Sequence, residues 1–239
     1  MYQKDAARLA RIARSLSVAE LRSLMGISEE LATLNHTRFR SFAAKPKPEA
    51  TRPAILAFAG DTYLGLEAAT LGAESMGFVQ NRLRILSGLY GILRPLDRIQ
   101  PYRLEMGSRL SNPKGATLYD YWGPRITNTL NLLAEAEQTN FLVNCASIEY
   151  FAAIRRKSLK LRVITPVFLE SRGGEPRIVS FFAKKARGAM ARYILENRLS
   201  NPDDLRGFNT GGYRIAPDLT EGDRLVFLRD KAPPEQMIN

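Results

Sequence analysis

Residues 161–195 read LRVITPVFLESRGGEPRIVSFFAKKARGAMARYIL, and this stretch decides the fold class. Its opening, rich in apolar and β-branched residues, predicts a buried strand over 161–169. The pair Gly173-Gly174 predicts a tight turn, followed by an antiparallel strand over 177–182. Apolar residues then recur at helical spacing to about residue 199, which predicts a helix. Part of the sheet is therefore expected to be an antiparallel hairpin near 161–182.

Three short apolar runs bounded by Pro, Gly or polar residues lie before this stretch. They predict buried strands near Ile55 (53–58), Leu86 (83–86) and Val143 (141–145), and we expect these strands to be parallel. They alternate with helical patterns, which comprise three helices before about residue 42 and one over 117–136. The chain has 239 residues and is 45% hydrophobic, enough to fill one core. We expect a mixed α/β (α+β) fold in a single domain over 1–239, with helices around a mixed sheet.

Composition excludes several kinds of site. With one cysteine, Cys145, and one histidine, His36, the chain has no internal disulfide and no Cys/His zinc site. It contains neither a P-loop nor a dinucleotide-binding pattern. No stretch approaches the roughly 20 apolar residues of a membrane span, and the N-terminus is charged where a signal peptide would be apolar. We expect a cytoplasmic protein without a metal, a cofactor or a membrane partner.

Positive charge is concentrated in one segment. The formal net charge is +11, and residues 150–200 hold 12 Lys and Arg against 3 Glu. Such clustering favours a polyanionic partner, because neutralised phosphates release their counterions. Lys184, Lys185 and Arg187 lie near a predicted helix start, where the helix dipole disfavours cations, so either a ligand or acids from elsewhere in the chain hold them there. The other candidate phosphate contacts are Arg192, Arg155, Arg156, Lys157, Arg94 and Arg103.

Two glycine turns predict backbone amides close to a phosphate. The helices on either side of Gly26, the second capped by Ser28, form a helix-hairpin-helix-like element near 18–42, in which the second helix start can hold a phosphate. A plain packing unit is the alternative interpretation. Gly88 and Gly91, in the sequence SGLYGIL, predict a hairpin that brings amides near a phosphate. No base-reading motif is present, so the expected partner is duplex or structured DNA with little sequence preference.

Two other functions stay open from the residues alone. The same cations can clamp a small phosphorylated or carboxylated substrate, with Asp61, Glu105 or Glu149 as acid or base. A carboxylate iron site is the third hypothesis, although the acids show no repeated ligand spacing. Cys145 precedes a predicted helix start and is either a reactive thiol or, as we prefer, a small core residue. No catalytic constellation is recognisable, so we expect a binding protein rather than an enzyme.

Three segments carry a family resemblance: AILAFAGDTYLGL at 54–66, RILSGLYGILRPLDRIQPYRLEMG at 84–107 and SFFAKKARGAMARYILENRL at 180–199. They resemble the YaaA peroxide stress protein family, from the first helix to FNTGGYRI at 208–215. The resemblance implies a compact single-domain mixed α/β fold with a basic cleft and a helix-hairpin-helix, DNA binding, and a role in limiting damage when peroxide and intracellular iron coincide. Family members open with a buried strand and a Ser-Pro-Ala-Lys segment, whereas this chain starts at the helix that follows, so we expect the sheet to lack that strand.

Overall fold

The computed structural model of the protein describes residues 2–171 and 174–230. The helices are α1 (Gln3–Arg14), α2 (Val18–Met25), α3 (Glu29–Ser41), α4 (Ala54–Ala57), α5 (Asp61–Leu66), α6 (Met76–Arg82), α7 (Leu118–Trp122), α8 (Arg125–Ala136), α9 (Ile148–Phe151) and α10 (Ser180–Glu196). The strands are β1 (Arg52–Pro53), β2 (Ile85–Ser87), β3 (Gly91–Leu93), β4 (Arg98–Ile99), β5 (Phe141–Val143), β6 (Arg162–Glu170), β7 (Arg214–Ile215) and β8 (Arg224–Arg229). The mixed α/β fold class is confirmed.

The chain forms two compact units. The first unit contains the described chain up to Ala57 together with Arg84–Ala136 and Ala146–Lys160. The second contains Phe58–Leu83, Glu137–Cys145 and the described residues from Leu161 onward. A single cooperative domain over 1–239 stays a prediction.

The first unit opens with the three helices that the sequence predicts. Ser17 caps α2 through a capping box with Glu20, and Ser28 caps α3 by accepting a hydrogen bond from Leu31. Between them Gly26 adopts a left-handed conformation (φ 61°), which a residue with a Cβ adopts only at a cost. The two helices therefore follow one another through a glycine turn, as predicted for residues 18–42.

Two small antiparallel pairs follow in the same unit, β1 with β4 and β2 with β3. The strand predicted near Ile55 is wrong, because only Arg52 and Pro53 are extended and the chain then turns into α4. The amides of Ala54 and Ile55 bond to the carbonyls of Asp97 and Pro95 instead of to a sheet neighbour. A short apolar run by itself does not distinguish a strand from a short helical turn.

The helix predicted over 117–136 is interrupted. Thr117 caps α7 through a capping box with Asp120, and the chain breaks at Gly123 (φ 52°) before α8 begins. Trp122, at the end of α7, is fully buried and donates its indole N–H to the carbonyl of Gly88 at 2.9 Å. The break thus places the largest side chain of this unit against the β2–β3 turn.

The second unit is built on a four-stranded sheet of order β5-β6-β8-β7. β5 and β8 both pair with β6 in parallel, whereas β7 is antiparallel to β8, so the predicted mixed sheet is confirmed. Val143 lies in this parallel arrangement, but the prediction that Leu86 joins it is wrong, because β2 pairs antiparallel with β3.

The predicted hairpin near 161–182 is reduced to a single antiparallel bridge, in which Glu170 and Arg177 exchange both backbone hydrogen bonds. The second strand predicted over 177–182 is wrong beyond this bridge, because α10 begins at Ser180. The apolar residues after Ser180 pack as part of a helix rather than in a sheet. Local composition does not decide between these two structures. Gly173, half of the predicted turn, lies outside the described residues.

The core of the second unit lies where α10 meets the sheet. Phe168, Phe208 and Phe227 form a cluster of rings with centroids 5.4–5.7 Å apart, and Met190 of α10 is fully buried beside them. Aromatic pairs at this spacing add to the stability that burial of their apolar area provides. This packing fixes α10, the helix that carries four of the nine predicted basic contacts.

Candidate functional site

Helix α10 is held against α5 by two glycines, both within the second unit. A Cβ at Gly65 would lie 1.9 Å from the carbonyl oxygen of Lys185, and one at Gly188 would lie 1.8 Å from the carbonyl oxygen of Thr62. Real Cβ atoms do not approach backbone this closely, so glycine at both positions allows the two helices to touch. The orientation of the basic side chains of α10 follows from this contact.

Lys184 has an acidic partner on α5. Its Nζ lies 3.7 Å from Oδ2 of Asp61, and its side chain remains half exposed. The sequence named Asp61 as an acid or base in the small-substrate hypothesis, and the geometry supports a counter-charge for Lys184. At this distance and exposure the pair contributes little to stability, so the ammonium stays accessible to a stronger anion.

Arg192 forms hydrogen bonds with the residues at the end of α5. Its Nη1 donates to the carbonyl of Glu67 at 2.9 Å and to Oγ1 of Thr70 at 2.7 Å, while Nη2 pairs with Glu196 at 2.6 Å. The last carbonyls of a helix lack intrahelical donors, and a guanidinium there satisfies them. These contacts account for Arg192 without a ligand, and a phosphate contact by Arg192 stays a prediction.

Arg187 differs from its neighbours on the same helix. Its Nε is buried without a hydrogen-bond partner, and the guanidinium forms no ion pair with any residue in 2–171 or 174–230. Burial lowers the pKa of the Arg187 guanidinium below its ordinary value. The neighbouring Cys145 thiol raises this pKa but offsets only part of the effect of burial. A desolvated cation without a protein counter-charge is poised to bind an external anion, because such a charge is otherwise costly to bury.

Cys145 lies beside Arg187 in the same unit and packs against the aromatic core. Burial raises the pKa of the Cys145 thiol to about 12, although the Arg187 charge acts in the opposite direction. A thiol that stays protonated at physiological pH is a poor nucleophile. The structure therefore supports the interpretation of Cys145 as a small core residue.

The first unit carries the other basic candidates. Arg155, Arg156 and Lys157 are exposed in the turn after α9, and none of them forms an ion pair within the described part of the chain. Arg94 and Arg103 instead have acidic partners, Asp97 at 3.7 Å and Glu105 at 2.7 Å. Among the basic residues predicted as phosphate contacts in this unit, the run 155–157 therefore lacks the acidic partners that Arg94 and Arg103 have in the described chain.

The backbone amides predicted to contact a phosphate, at Gly88, Gly91 and the start of α3, have surroundings that do not favour an anion. Gly88 and Gly91 are both buried, and Gly91 lies against the ring of Trp122, so neither amide is placed to contact a phosphate. The start of α3 carries two acids, Glu29 and Glu30. A hydrogen bond from Ser28 lowers the pKa of the Glu30 carboxyl, which keeps negative charge where a phosphate would have to bind. The geometry gives no support to phosphate contacts at these turns.

A further cluster lies in the first unit, where the residues after β4 meet α9. Glu149 accepts a hydrogen bond from the amide of Gly107 at 2.8 Å, and Tyr119 donates to the carbonyl of Glu149 at 2.9 Å. Burial, followed by the charges of Glu149 and Glu105, raises the pKa of the Tyr150 phenol above its usual range. The sequence named both glutamates but missed Tyr150, because its position follows from a contact between segments more than 40 residues apart.

The family comparison covers nearly all of these residues. The family model described as "Peroxide stress protein YaaA" matches residues 1–219. The chain belongs to this family. The matched range of this YaaA-family protein contains α10, the run 155–157 and the cluster around Tyr150, and it ends before β8.

Curated relatives agree with this assignment. A UPF0246 protein of Ruegeria pomeroyi is 61% identical over 228 residues, covering 95% of this chain and 89% of its own length. A UPF0246 protein of Roseobacter denitrificans is 59% identical with the same coverage, and one of a Jannaschia species is 57% identical over 97% of this chain and 89% of its own length. The resemblance to the YaaA family predicted from the sequence is confirmed.

The described part of this YaaA-family protein offers neither a membrane-spanning helix nor a metal-binding group of side chains. None of the described helices is long and apolar enough to cross a membrane. Among residues 2–171 and 174–230, no group of three His, Cys, Asp or Glu side chains is placed to hold a metal ion. The carboxylate iron site stays a hypothesis from the sequence.

Proposed function

We propose that this YaaA-family protein binds DNA through its phosphate backbone and acts in the response to peroxide stress. The observation that carries the proposal is Arg187, a partly buried guanidinium without a counter-charge among residues 2–171 and 174–230. A planar guanidinium matches the oxygens of a phosphate, and a charge-assisted hydrogen bond from Nε to a phosphate oxygen would satisfy the buried donor. Lys184 and Lys185 on the same helix would add charge at this surface.

The exposed run Arg155, Arg156 and Lys157 supports the proposal from the first unit. These side chains are exposed and lack acidic partners in the described residues, so a polyanion would displace only solvent and counterions. No element carries a base-reading signature, and binding is therefore proposed to follow DNA backbone or shape rather than sequence.

The physiological part of the proposal rests on the family. A DNA-bound protein in the cytoplasm would limit iron-dependent peroxide damage to the nucleic acid that it covers, as the resemblance implies. The basic cleft and the helix-hairpin-helix that the resemblance implies belong to this proposal as well. Lys184, Lys185, Arg187 and the run 155–157 are its principal contacts.

The test is a salt-titrated binding assay. Fluorescence anisotropy with labelled duplex, junction and single-stranded DNA of two unrelated sequences would measure the dissociation constant from about 50 to 300 mM salt. If about five phosphates are neutralised, the logarithm of the association constant falls with the logarithm of salt at a slope near −4.5. A flat salt response, or no binding at the lowest salt, would contradict the proposal.

A small anionic substrate is the alternative that the same guanidinium favours. In that case inorganic phosphate would raise the melting temperature of the protein but not that of the Arg187→Gln variant, because the ligand binds only the native state. Stabilisation by phosphate without any DNA binding would replace the DNA proposal by an enzyme or small-molecule receptor.

A further inference from the structure

The start of α10 carries an exposed aromatic ring. Phe181 is 37% exposed, a larger fraction than that of any other aromatic residue in 2–171 and 174–230. Aromatic rings are usually covered in a folded protein, because burying their large apolar area stabilises the fold. Here the ring stays uncovered on the same helix that carries Arg187. It is therefore available to a ligand with a flat apolar face.

The packing beneath this ring holds it in place. Phe181 contacts Phe182 edge to face, with ring centroids 5.6 Å apart and an angle of 67° between the planes. The guanidinium of Arg229 lies 4.6 Å from the centroid of Phe182 and pairs with Glu170, and both charged side chains are almost completely buried. A ring supported in this way loses little conformational freedom when a ligand binds, which favours binding.

A cation lies one helical turn from the ring. Lys184 follows Phe181 by three residues, and side chains at this spacing are neighbours on a helix surface, about 5–6 Å apart at Cβ. The Lys184 side chain is half exposed, and Asp61 holds it only weakly at 3.7 Å. The first turn of α10 contains no acid, and Val179 at the N-cap makes no side-chain hydrogen bond. The positive end of the helix dipole is therefore not neutralised by residues of α10 itself and adds to the attraction of an anion.

The region around the start of α10 also exposes two aliphatic side chains. Leu64 of α5 is exposed, and the neighbouring Gly65 packs so closely on α10 that a Cβ there would lie 1.9 Å from the carbonyl oxygen of Lys185. Ile178, three residues before Phe181 in the chain, is exposed as well. Exposed apolar side chains grouped in one region mark a contact surface more often than isolated ones do. This region therefore combines an aromatic ring, aliphatic groups and cations, the combination that binds single-stranded nucleic acid.

We propose that Phe181 stacks on an unpaired base of DNA while Lys184 contacts the adjoining phosphate. Inside a duplex both faces of a base are covered by its neighbours, so a projecting ring reaches a base face only in a single strand, a gap or a bulge. Stacking uses the face that every base has, and we therefore expect no sequence preference. The inference rests on the proposed DNA binding and adds the form of DNA that the α10 surface takes.

Comparison of two labelled single strands of equal charge tests the proposal. One is an oligothymidylate, and the other has the same length and backbone but carries abasic residues in place of its central bases. Fluorescence anisotropy with the full chain should give at least about fivefold tighter binding to the strand with bases, because stacking on an aromatic ring contributes that much per base. Equal affinity for the two strands would overturn the proposal, and this comparison needs no variant protein.

Variants locate the stacking ring. Phe181→Leu should abolish the preference for the strand with bases and leave the affinity for the abasic strand and the salt slope unchanged, because no charge is removed. Phe181→Tyr retains a ring and should retain the preference, as should Leu132→Ala, which removes an exposed aliphatic side chain of α8. A preference that survives in Phe181→Leu would place stacking elsewhere and overturn the assignment to Phe181.

The two proposals fail in different ways. Salt-dependent binding of equal strength to both strands would overturn base stacking and leave the phosphate contacts of the proposed function intact. Absence of DNA binding by the wild-type protein at about 50 mM salt, where phosphate contacts are strong, would overturn both.

Discussion

Nε of Arg229 lies 3.0 Å from Oε2 of Glu170, and both side chains are almost completely buried in the second unit. The Tyr213 hydroxyl donates to the same carboxylate, and Nη1 of Arg229 donates to the carbonyl of Gly211 at 3.1 Å. The guanidinium also lies 4.6 Å from the ring centroid of Phe182. The ion pair thus joins the ends of β6 and β8 to the FNTGGYRI segment, which the sequence marked only as a family feature.

Replacing Arg229 by Met should lower the free energy of unfolding by about 3–5 kcal/mol, because Glu170 is left as an unpaired buried charge. The double variant Arg229→Met, Glu170→Leu should recover part of this loss, since both charges are then removed. Urea denaturation followed by circular dichroism measures both effects. Equal destabilisation of the single and double variants would show that packing, not charge, dominates here.

Gly65→Ala and Gly188→Ala should each destabilise the protein by at least about 1–3 kcal/mol, because the added Cβ meets backbone of the facing helix. Gly77→Ala in α6 is the matched control, since a Cβ there has nothing within 4 Å and alanine favours a helix by up to about 1 kcal/mol. Thermal unfolding of the three variants checks the prediction. A stabilised Gly188→Ala variant would mean that α5 and α10 do not touch in solution.

Arg187→Gln should weaken binding to all DNA sequences alike and make the salt slope shallower by about 0.9, the value for one lost phosphate contact. Arg192→Gln on the same helix is the control, because its contacts with α5 predict a lower melting temperature and an unchanged slope. Anisotropy titrations at several salt concentrations distinguish the two. A shallower slope for Arg192→Gln would add it to the phosphate contacts, as the sequence predicted.

Cys145 should react with a disulfide reagent at pH 8 at least about 100-fold more slowly in the folded than in the denatured protein, because burial keeps it a neutral thiol. The raised pKa also stabilises the folded state. This contribution is complete below the thiol's ordinary pKa of 9.0 and is lost as pH rises toward about 12. Stopped-flow absorbance gives the rates, and fast labelling of the native protein would refute the buried thiol.

Acid should weaken the contact of α1 with α7 and α8. Partial burial would raise the pKa of Asp5, but hydrogen bonds from Arg125 at 2.7 Å and Tyr121 at 2.8 Å hold it below the ordinary value of 3.8. A carboxyl with a depressed pKa stabilises the fold above pH 3.8, and this contribution is lost as pH falls through the folded-state value. Asp5→Asn should cost about 1 kcal/mol at pH 7 and flatten the acid limb of the stability curve. An acid limb identical in both proteins would assign the effect to other carboxyls.

The cluster around Tyr150 was only half predictable. The sequence identified Glu105 and Glu149 as available carboxylates, but their approach depends on the missing side chains of Gly88 and Gly107. The missing side chain of Gly88 serves close packing against the backbone of Leu104 and Glu105, and a contact between its amide and a phosphate stays a prediction. Local patterns identify a glycine but not the atoms that it allows to meet.

The sequence by itself determined the family and the elements whose signals are local. The starts of α2 and α3 follow from Ser17 with Glu20 and from Ser28, because a cap bonds to an amide three residues away. Only the tertiary structure decided that Ile55 lies in a helix and that α10 starts at Ser180. It also decided that Arg187 has no counter-charge among the described residues, whereas Arg192 pairs with Glu67 and Glu196. Those outcomes depend on which distant backbone and side-chain groups become the hydrogen-bond or ion-pair partners of each residue. Tertiary packing, rather than the neighbouring residues in the sequence, fixes these partners.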